Sequence, residues 1–211
     1  MSPPNMLRRK RGRPKVVTDE AQRALVVEGA RILFLKRGYG RTTTDDVAER
    51  CRISKQTLYR LFPSKQDLFA AVIDVHRQSM LALPGNYEGM TLDEALQKIF
   101  RLDIDARADR ERMALLRMVM LEAPQFPELF NIMRHQGAQR SHAELARWLS
   151  DLRERGAIET DDTSSIARIL MDMIFAPPIL ETESAESGSS DRHQAHIRRC
   201  IQVFLRGVTP R

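Results

Sequence analysis

Residues 42–69, TTTDDVAERCRISKQTLYRLFPSKQDLF, leave little freedom in how they fold. Thr43 with Asp46, and Ser64 with Asp67, each set a hydroxyl three positions ahead of an acid. In that arrangement, side chains at a helix start satisfy backbone N–H groups that have no partner within the helix. Ser54 is a further N-cap candidate without the acidic partner. The spacing predicts a short helix over about 44–51, with Val47, Ala48 and Cys51 on one face, and another over about 55–61 that turns Leu58 and Phe62 inward. A third helix starts at Ser64. The outward face of the second offers Lys55, Gln56, Thr57, Tyr59 and Arg60. It is short, polar, cationic and free of acids, which suits an element entering a DNA major groove. Lys55, Gln56, Thr57 and Arg60 are the candidates for base edges, Gln56 for adenine and Arg60 for guanine. Thr43 and Thr44 are candidate phosphate donors through hydroxyl and backbone N–H groups.

Charge points the same way. The chain has 211 residues and a formal net charge of +6, from 34 basic and 28 acidic residues. Residues 1–15 hold Arg8, Arg9, Lys10, Arg11, Arg13 and Lys15 and no acid; removing those six leaves 28 basic residues against 28 acidic ones. The excess is therefore confined to one arm, residues 1–17. That arm is charged, carries Gly12 and Pro14, and has almost nothing apolar to bury, so disorder is expected when it is free. Its Arg11-Gly12-Arg13-Pro14 core resembles an AT-hook, in which extended arginines enter a narrow minor groove. The alternative is a solvated tail with non-specific attraction to phosphates.

Along the rest of the chain the pattern is all-α, about nine helices. Thr18 caps a helix over 19–37 with an acidic first turn, a basic last turn and a Val26, Ala30, Leu33, Phe34 stripe, stopped by Gly38. Beyond 44–51 and 55–61, helices are expected over about 64–83, 92–108, 110–122, 127–155, 163–176 and 191–206. The breaks are residues 84–89, Pro124, Gly156 and Pro177-Pro178. A Ser/Glu-rich stretch, 181–190, separates the last two helices. The helix-to-helix turn at Cys51-Arg52 lacks the usual glycine. A left-handed Arg52 there costs roughly 1–2 kcal/mol.

Residues 20–69 resemble the DNA-binding domain of the TetR family of bacterial transcriptional regulators. The resemblance rests on Phe34-x3-Gly38-Tyr39, the Thr-Thr before Asp46-Val47-Ala48, and the run Ser54-Lys55-x-Thr57-Leu58-Tyr59-x-x-Phe62-x-Ser64-Lys65-x-x-Leu68. Glu122-Ala123-Pro124-x-Phe126-Pro127-Glu128-Leu129 resembles the ligand-binding half of the AcrR/AefR-like branch. The resemblance implies a helix-turn-helix domain over 18–63 and a helical ligand-binding and dimerisation domain over 64–211. It also implies that Ser54, Tyr59 and Lys65 touch the DNA backbone, and that a ligand pocket lies among the middle helices.

In that second half Met113, Met118, Met133 and Met171, with Trp148 and Phe175, are candidates to line a plastic apolar pocket for a small apolar effector. His135, Gln139 and His142 are candidate polar fixtures. The alternative is that the methionines are plain core. Ile166, Leu170, Met173 and Ile174 form one late apolar stripe, and Ile197, Ile201, Phe204 and Leu205 another. Each stripe covers either the protomer's own core or a partner. In the TetR family these two helices pair across a two-fold axis, which implies a homodimer reading two half-sites of a palindromic operator.

Other classes fit less well. No apolar run approaches the ~18–20 residues that span a bilayer, and the basic start leads into TDEAQRAL rather than an apolar leader core, so a cytoplasmic location is expected. Two cysteines, Cys51 and Cys200, are far apart and expected to be reduced. No cofactor or metal site is expected. His193 and His196 lack further ligands, and His142-Ala143-Glu144 lacks the Pro-Cys-x-x-Cys of a zinc deaminase. The alternatives to an effector-released repressor are a non-specific DNA-packaging protein and an enzyme with a basic appendage.

Overall fold

The computed structural model describes residues 18–175 and 189–209. The arm with Arg11 and Arg13 and most of the stretch 181–190 lie outside the described residues. Among the described residues every regular element is a helix: α1 (Asp19–Arg37), α2 (Thr44–Cys51), α3 (Lys55–Leu61), α4 (Lys65–Met80), α5 (Leu92–Ile99), α6 (Ala106–Glu122), α7 (Pro127–Ile132), α8 (Gln139–Glu154), α9 (Thr163–Phe175) and α10 (Ser189–Val208). A π-helical turn, Met133–Ala138, joins α7 to α8 without leaving helical backbone. The expected single helix over 127–155 is thus one rod with a π turn inside it.

The first four helices begin at the expected caps. Thr18, Thr43, Ser54 and Ser64 each accept from the backbone N–H three residues on. Thr43 and Asp46 complete a reciprocal capping box, which satisfies two orphan donors at once. Arg52 is left-handed, φ 53° and ψ 42°, and its N–H closes α2 on Ala48 and Glu49.

Two boundaries differ from expectation. α4 stops at Met80 rather than near residue 83, because the chain extends so that Leu81 and Leu83 enter the core. The helix expected over 92–108 ends at Ile99. Burying Phe100 and Leu102 forces a turn in which Arg101 is left-handed, φ 58°, and Asp105 then caps α6. No glycine or proline marks this break. Burial decides it.

The core falls into two clusters. One unites α1–α4 with Leu115, Met118 and Val119 of α6 and Leu129 of α7. Its centre is aromatic: Phe34, Tyr39 and Phe69 pack with ring centroids 5.2–5.5 Å apart, and Phe126 lies 5.5 Å from Tyr39. Full burial of such side chains is worth about 1.5–3 kcal/mol each before the entropy of ordering them is set against it. The second cluster gathers Leu81, Leu83, α5, α8, α9 and α10. Arg77 of α4 ties the parts together by pairing with Glu144 of α8, while Arg140 pairs with Asp74 at 2.8 Å.

Candidate nucleic-acid interface

α3 is held from behind and left open in front. Leu58, Leu61 and Phe62 are buried, and Arg23 of α1 donates to the Leu61 carbonyl with its guanidinium 4.3 Å above the Phe62 ring. A cation at the last carbonyls suits the helix dipole and pins α3 to α1. Ser54, Lys55, Gln56, Tyr59 and Arg60 are exposed and Thr57 half-buried, so the expected outward face exists.

Two of its cations are already engaged. Lys55 Nζ lies 2.6 Å from Asp45, and Arg60 makes a two-pronged pair with Asp19 at 2.6 and 3.0 Å. The hydrogen bond to Asp45, with its charge, raises the Lys55 pKa; the hydrogen bond to Asp19, with its charge, does the same for Arg60. All four side chains are solvent-facing, so salt screens these pairs and a phosphate or base edge competes readily. Gln56 has no side-chain partner among the described residues. The short sequence windows carried no signal for either pair, since the acids come from α2 and from the start of α1.

The phosphate candidates divide. Thr44 Oγ1 and Tyr59 Oη meet at 3.0 Å, a pair of hydroxyls at the mouth of α2. Thr43 is committed to its capping box: its N–H and its hydroxyl both donate to Asp46 Oδ2, at 2.8 and 2.6 Å. Both of its donors are engaged within the free chain, as those of Lys55 and Arg60 are. Lys65 is half-buried, with its ammonium 4.0 Å over the Tyr39 ring, and burial lowers its pKa.

A joint that sequence patterns did not expose lies behind this face. At the end of α6, Glu122 accepts from the Tyr39 N–H at 3.0 Å and from the Gly40 N–H at 2.7 Å. Gly38 has φ +83°, and a Cβ there would fall 2.1 Å from Glu122 Oε1; a Cβ on Gly40 would fall 2.7 Å from the Phe126 ring. Glycine is therefore required at both positions for the carboxylate and the ring to seat. Glu122 and Phe126 belong to the motif already singled out, and their work is to lock α6 and α7 onto the end of α1.

The proposed ligand-lining residues do not converge. Met118 and Met133 pack in or against the first cluster, Trp148, Met171 and Phe175 against the second, Met113 is half-buried on α6, and His135 is exposed. Of the polar fixtures, Gln139 Oε1 lies 2.8 Å from His135 Nδ1, and His142 Nε2 lies 2.9 Å from the Ser164 carbonyl. The expected interface stripes also need correction. Leu170, Ile174, Ile197, Ile201 and Phe204 are at most 5 % exposed within the single chain, so they cover the protomer's own core. Ile166, Met173 and Leu205 are half-buried, and the outward apolar residues are Ile169 and Val203, 51 % and 60 % exposed. On α9 the exposed Ile169 shares a face with Ile166 and Met173.

Among the described residues no cluster of acids, histidines and cysteines is arranged to hold a metal, and no helix is long and apolar enough to cross a membrane. Cys51 and Cys200 are free thiols whose pKa values burial raises.

Comparison with known proteins agrees with this architecture. Residues 26–72 match the family described as bacterial regulatory proteins, tetR family, and residues 94–207 match the AefR-like transcriptional repressor, C-terminal domain. An uncharacterised HTH-type transcriptional regulator of Bacillus subtilis, YvkB, is 23% identical over 87% of this chain and 95% of its own length. Among solved structures, the flavonoid-responsive regulator FrrA superposes with a TM-score of 0.62 at 27% identity, covering 91% of this chain and 99% of FrrA. Salmonella enterica GusR does so with a TM-score of 0.67 at 21% identity, covering 91% and 99%. With its helix-turn-helix face, all-helical body and matches along both halves, this chain belongs to the TetR family of transcriptional regulators, DNA-binding proteins of the repressor type with an AefR-like C-terminal domain.

Proposed function

We propose that the protein is a cytoplasmic homodimer that binds a palindromic operator through α3 and leaves it when a small molecule occupies the helical body. The observation that carries this reading is the outward set Lys55, Gln56, Thr57, Tyr59 and Arg60, mounted on a helix anchored by buried Leu58, Leu61 and Phe62. A rigid backing lets a few side chains read base edges, and two copies about 34–36 Å apart reach successive major grooves. Residues 18–63 form the DNA-binding unit in this reading, and 64–211 the sensing and pairing unit. Ile169 and Val203, with Ile166, Met173 and Leu205 beside them, are the surface on which two copies pair.

On DNA, Lys55 and Arg60 exchange Asp45 and Asp19 for the duplex, while Thr44, Ser54, Tyr59 and Lys65 meet phosphates. Release is a matter of linkage: the effector must prefer the conformation that does not fit DNA. The α4 helix and the Glu122 joint are the two routes by which the body reaches α1–α3. FrrA, of the same fold, is flavonoid-responsive, which supports control by a small molecule.

The test is binding to a palindrome located by genomic footprinting, against a scrambled duplex, over a salt series. Operator binding at least a hundredfold tighter is expected, and Gln56→Ala and Arg60→Ala each lower that preference about tenfold. Equal affinity for both duplexes removes this reading and leaves a non-specific DNA-packaging protein.

A further inference from the structure

The chain turns at residues 100–105, between α5 and α6, instead of continuing the helix. The turn opens a cavity of about 250 Å³ between the end of α4 and the start of α6, lined by Ser79, Arg101, Ile104, Ala108 and Arg112. The volume lies just below the ~300–1,000 Å³ of ordinary small-ligand sites, so it suits a molecule of about one ring.

The polar lining is cationic and underused. Arg112 is 4 % exposed; its Nε donates to Asp109 at 2.7 Å and its Nη1 to the Phe100 carbonyl at 3.2 Å, but its Nη2 has no hydrogen-bond partner. Arg101 donates through Nη2 to the Gln78 carbonyl at 3.1 Å, while its Nε is buried without a partner. Among the described residues Asp109 pairs with Arg112, and no carboxylate pairs with Arg101. A buried donor left without an acceptor is costly, and in a native protein it calls for an occupant. Next to the cavity, burial and the charges of Arg31 and Arg112 hold His76 neutral, its pKa lowered to about 4, so it adds no charge. Ile104 and Ala108 supply an apolar wall.

We propose that this cavity is the effector site and that it takes a compact organic anion, a carboxylate or phosphate head on a short apolar body, held by Arg101 and Arg112. Planar guanidiniums suit such heads, because their forked N–H groups match two oxygens at once. The inference rests on the effector-released reading above and replaces its apolar effector with an anionic one. Position gives the site its leverage. Ser79 lies on α4, which leads directly into α1–α3, and Arg112 lies on α6, whose far end carries Glu122. An anion drawing these two helices together acts on both routes to the DNA face.

The experiment titrates the full-length protein, without DNA, with benzoate, phenyl phosphate and the neutral match benzamide, by calorimetry and thermal shift. At least one anion is expected to bind tenfold or more tighter than benzamide and to raise Tm; which one identifies the head group. Arg101→Gln is expected to abolish that preference while Arg101→Lys keeps part of it, and neither touches the Arg112 bonds that support residues 100–109. Benzamide binding as tightly as the anions, or no binding of either anion, overturns the proposal. So does an anion preference that survives Arg101→Gln. Because no duplex is present, the result is independent of operator binding. A protein that prefers its operator yet ignores both anions refutes this inference alone, and one that takes the anion but has no operator preference refutes the regulator reading instead.

Discussion

The three-helix head and the body behind it differ in how completely their polar groups are satisfied. In the head, Thr18, Thr43 and Ser54 each cap a helix from three residues away, and the acids Asp19 and Asp45 occupy the cations that face solvent. In the body the decisive contacts run far along the chain: Arg77 to Glu144, Arg140 to Asp74, Glu122 to the 39–40 backbone. The body also contains the buried nitrogens of His76, Arg77, Arg101 and Arg112 that have no hydrogen-bond partner. The contrast teaches where adaptability lies. The DNA-facing surface combines local caps with longer-range contacts such as Arg60 to Asp19 and Arg23 to the Leu61 carbonyl. The body retains buried nitrogens without hydrogen-bond partners beside local caps such as the Thr91–Glu94 box.

The largest test of this contrast is acid. His76 lies in the body, 7 % exposed, with a pKa lowered from 6.5 to about 4 by burial and by Arg31 and Arg112. A base whose folded pKa is depressed is protonated first in the unfolded chain, so stability falls as pH drops below 6.5. The loss is complete near pH 4, roughly 3 kcal/mol from this group alone. Urea denaturation at pH 7, 5.5 and 4.5 should show it, with a shallower slope in His76→Gln. Identical slopes in the two proteins break the argument that the body holds His76 neutral.

The joint between the two regions is next. Glu122→Ala removes an ionised acceptor from two backbone donors, so a loss of about 2 kcal/mol is expected, together with faster hydrogen exchange at the Tyr39 and Gly40 amides. Unchanged exchange there means the head holds its loop without help from α6.

The smallest effect sharpens the reading of the head. Arg52 is left-handed at φ 53° in an otherwise locally consistent region, so Arg52→Gly should raise stability by about 1 kcal/mol. A thermal melt that shows no gain places a compensating contact on the Arg52 side chain.

The legible part of the molecule follows from the same contrast. Caps, the Val26-Ala30-Leu33-Phe34 stripe and the polar face of α3 are set by spacings of three and four residues, so helices α1 to α3 lie where the sequence pattern puts them. The break at residues 100–105 was invisible because neither glycine nor proline marks it; the pull of Phe100 and Leu102 into the core makes it. The apolar stripes of α9 and α10 were legible as stripes, but not as to which residues the protomer's own core covers. Both faces carry aliphatic residues, and periodicity alone ranks neither. Met118, Met133, Trp148 and Met171 looked alike in composition yet went to two different clusters.

Sequence alone thus determined the helical class, the helix-turn-helix and the outward set around Gln56, because each depends on hydrogen bonds and faces closed within one or two turns. Tertiary structure alone decided that Asp19 and Asp45 engage Arg60 and Lys55, that Glu122 clasps the end of α1, and that Arg101 and Arg112 border one cavity. Those partners are separated by 10 to 83 residues of chain, and only the packing of the core brings them within bonding distance.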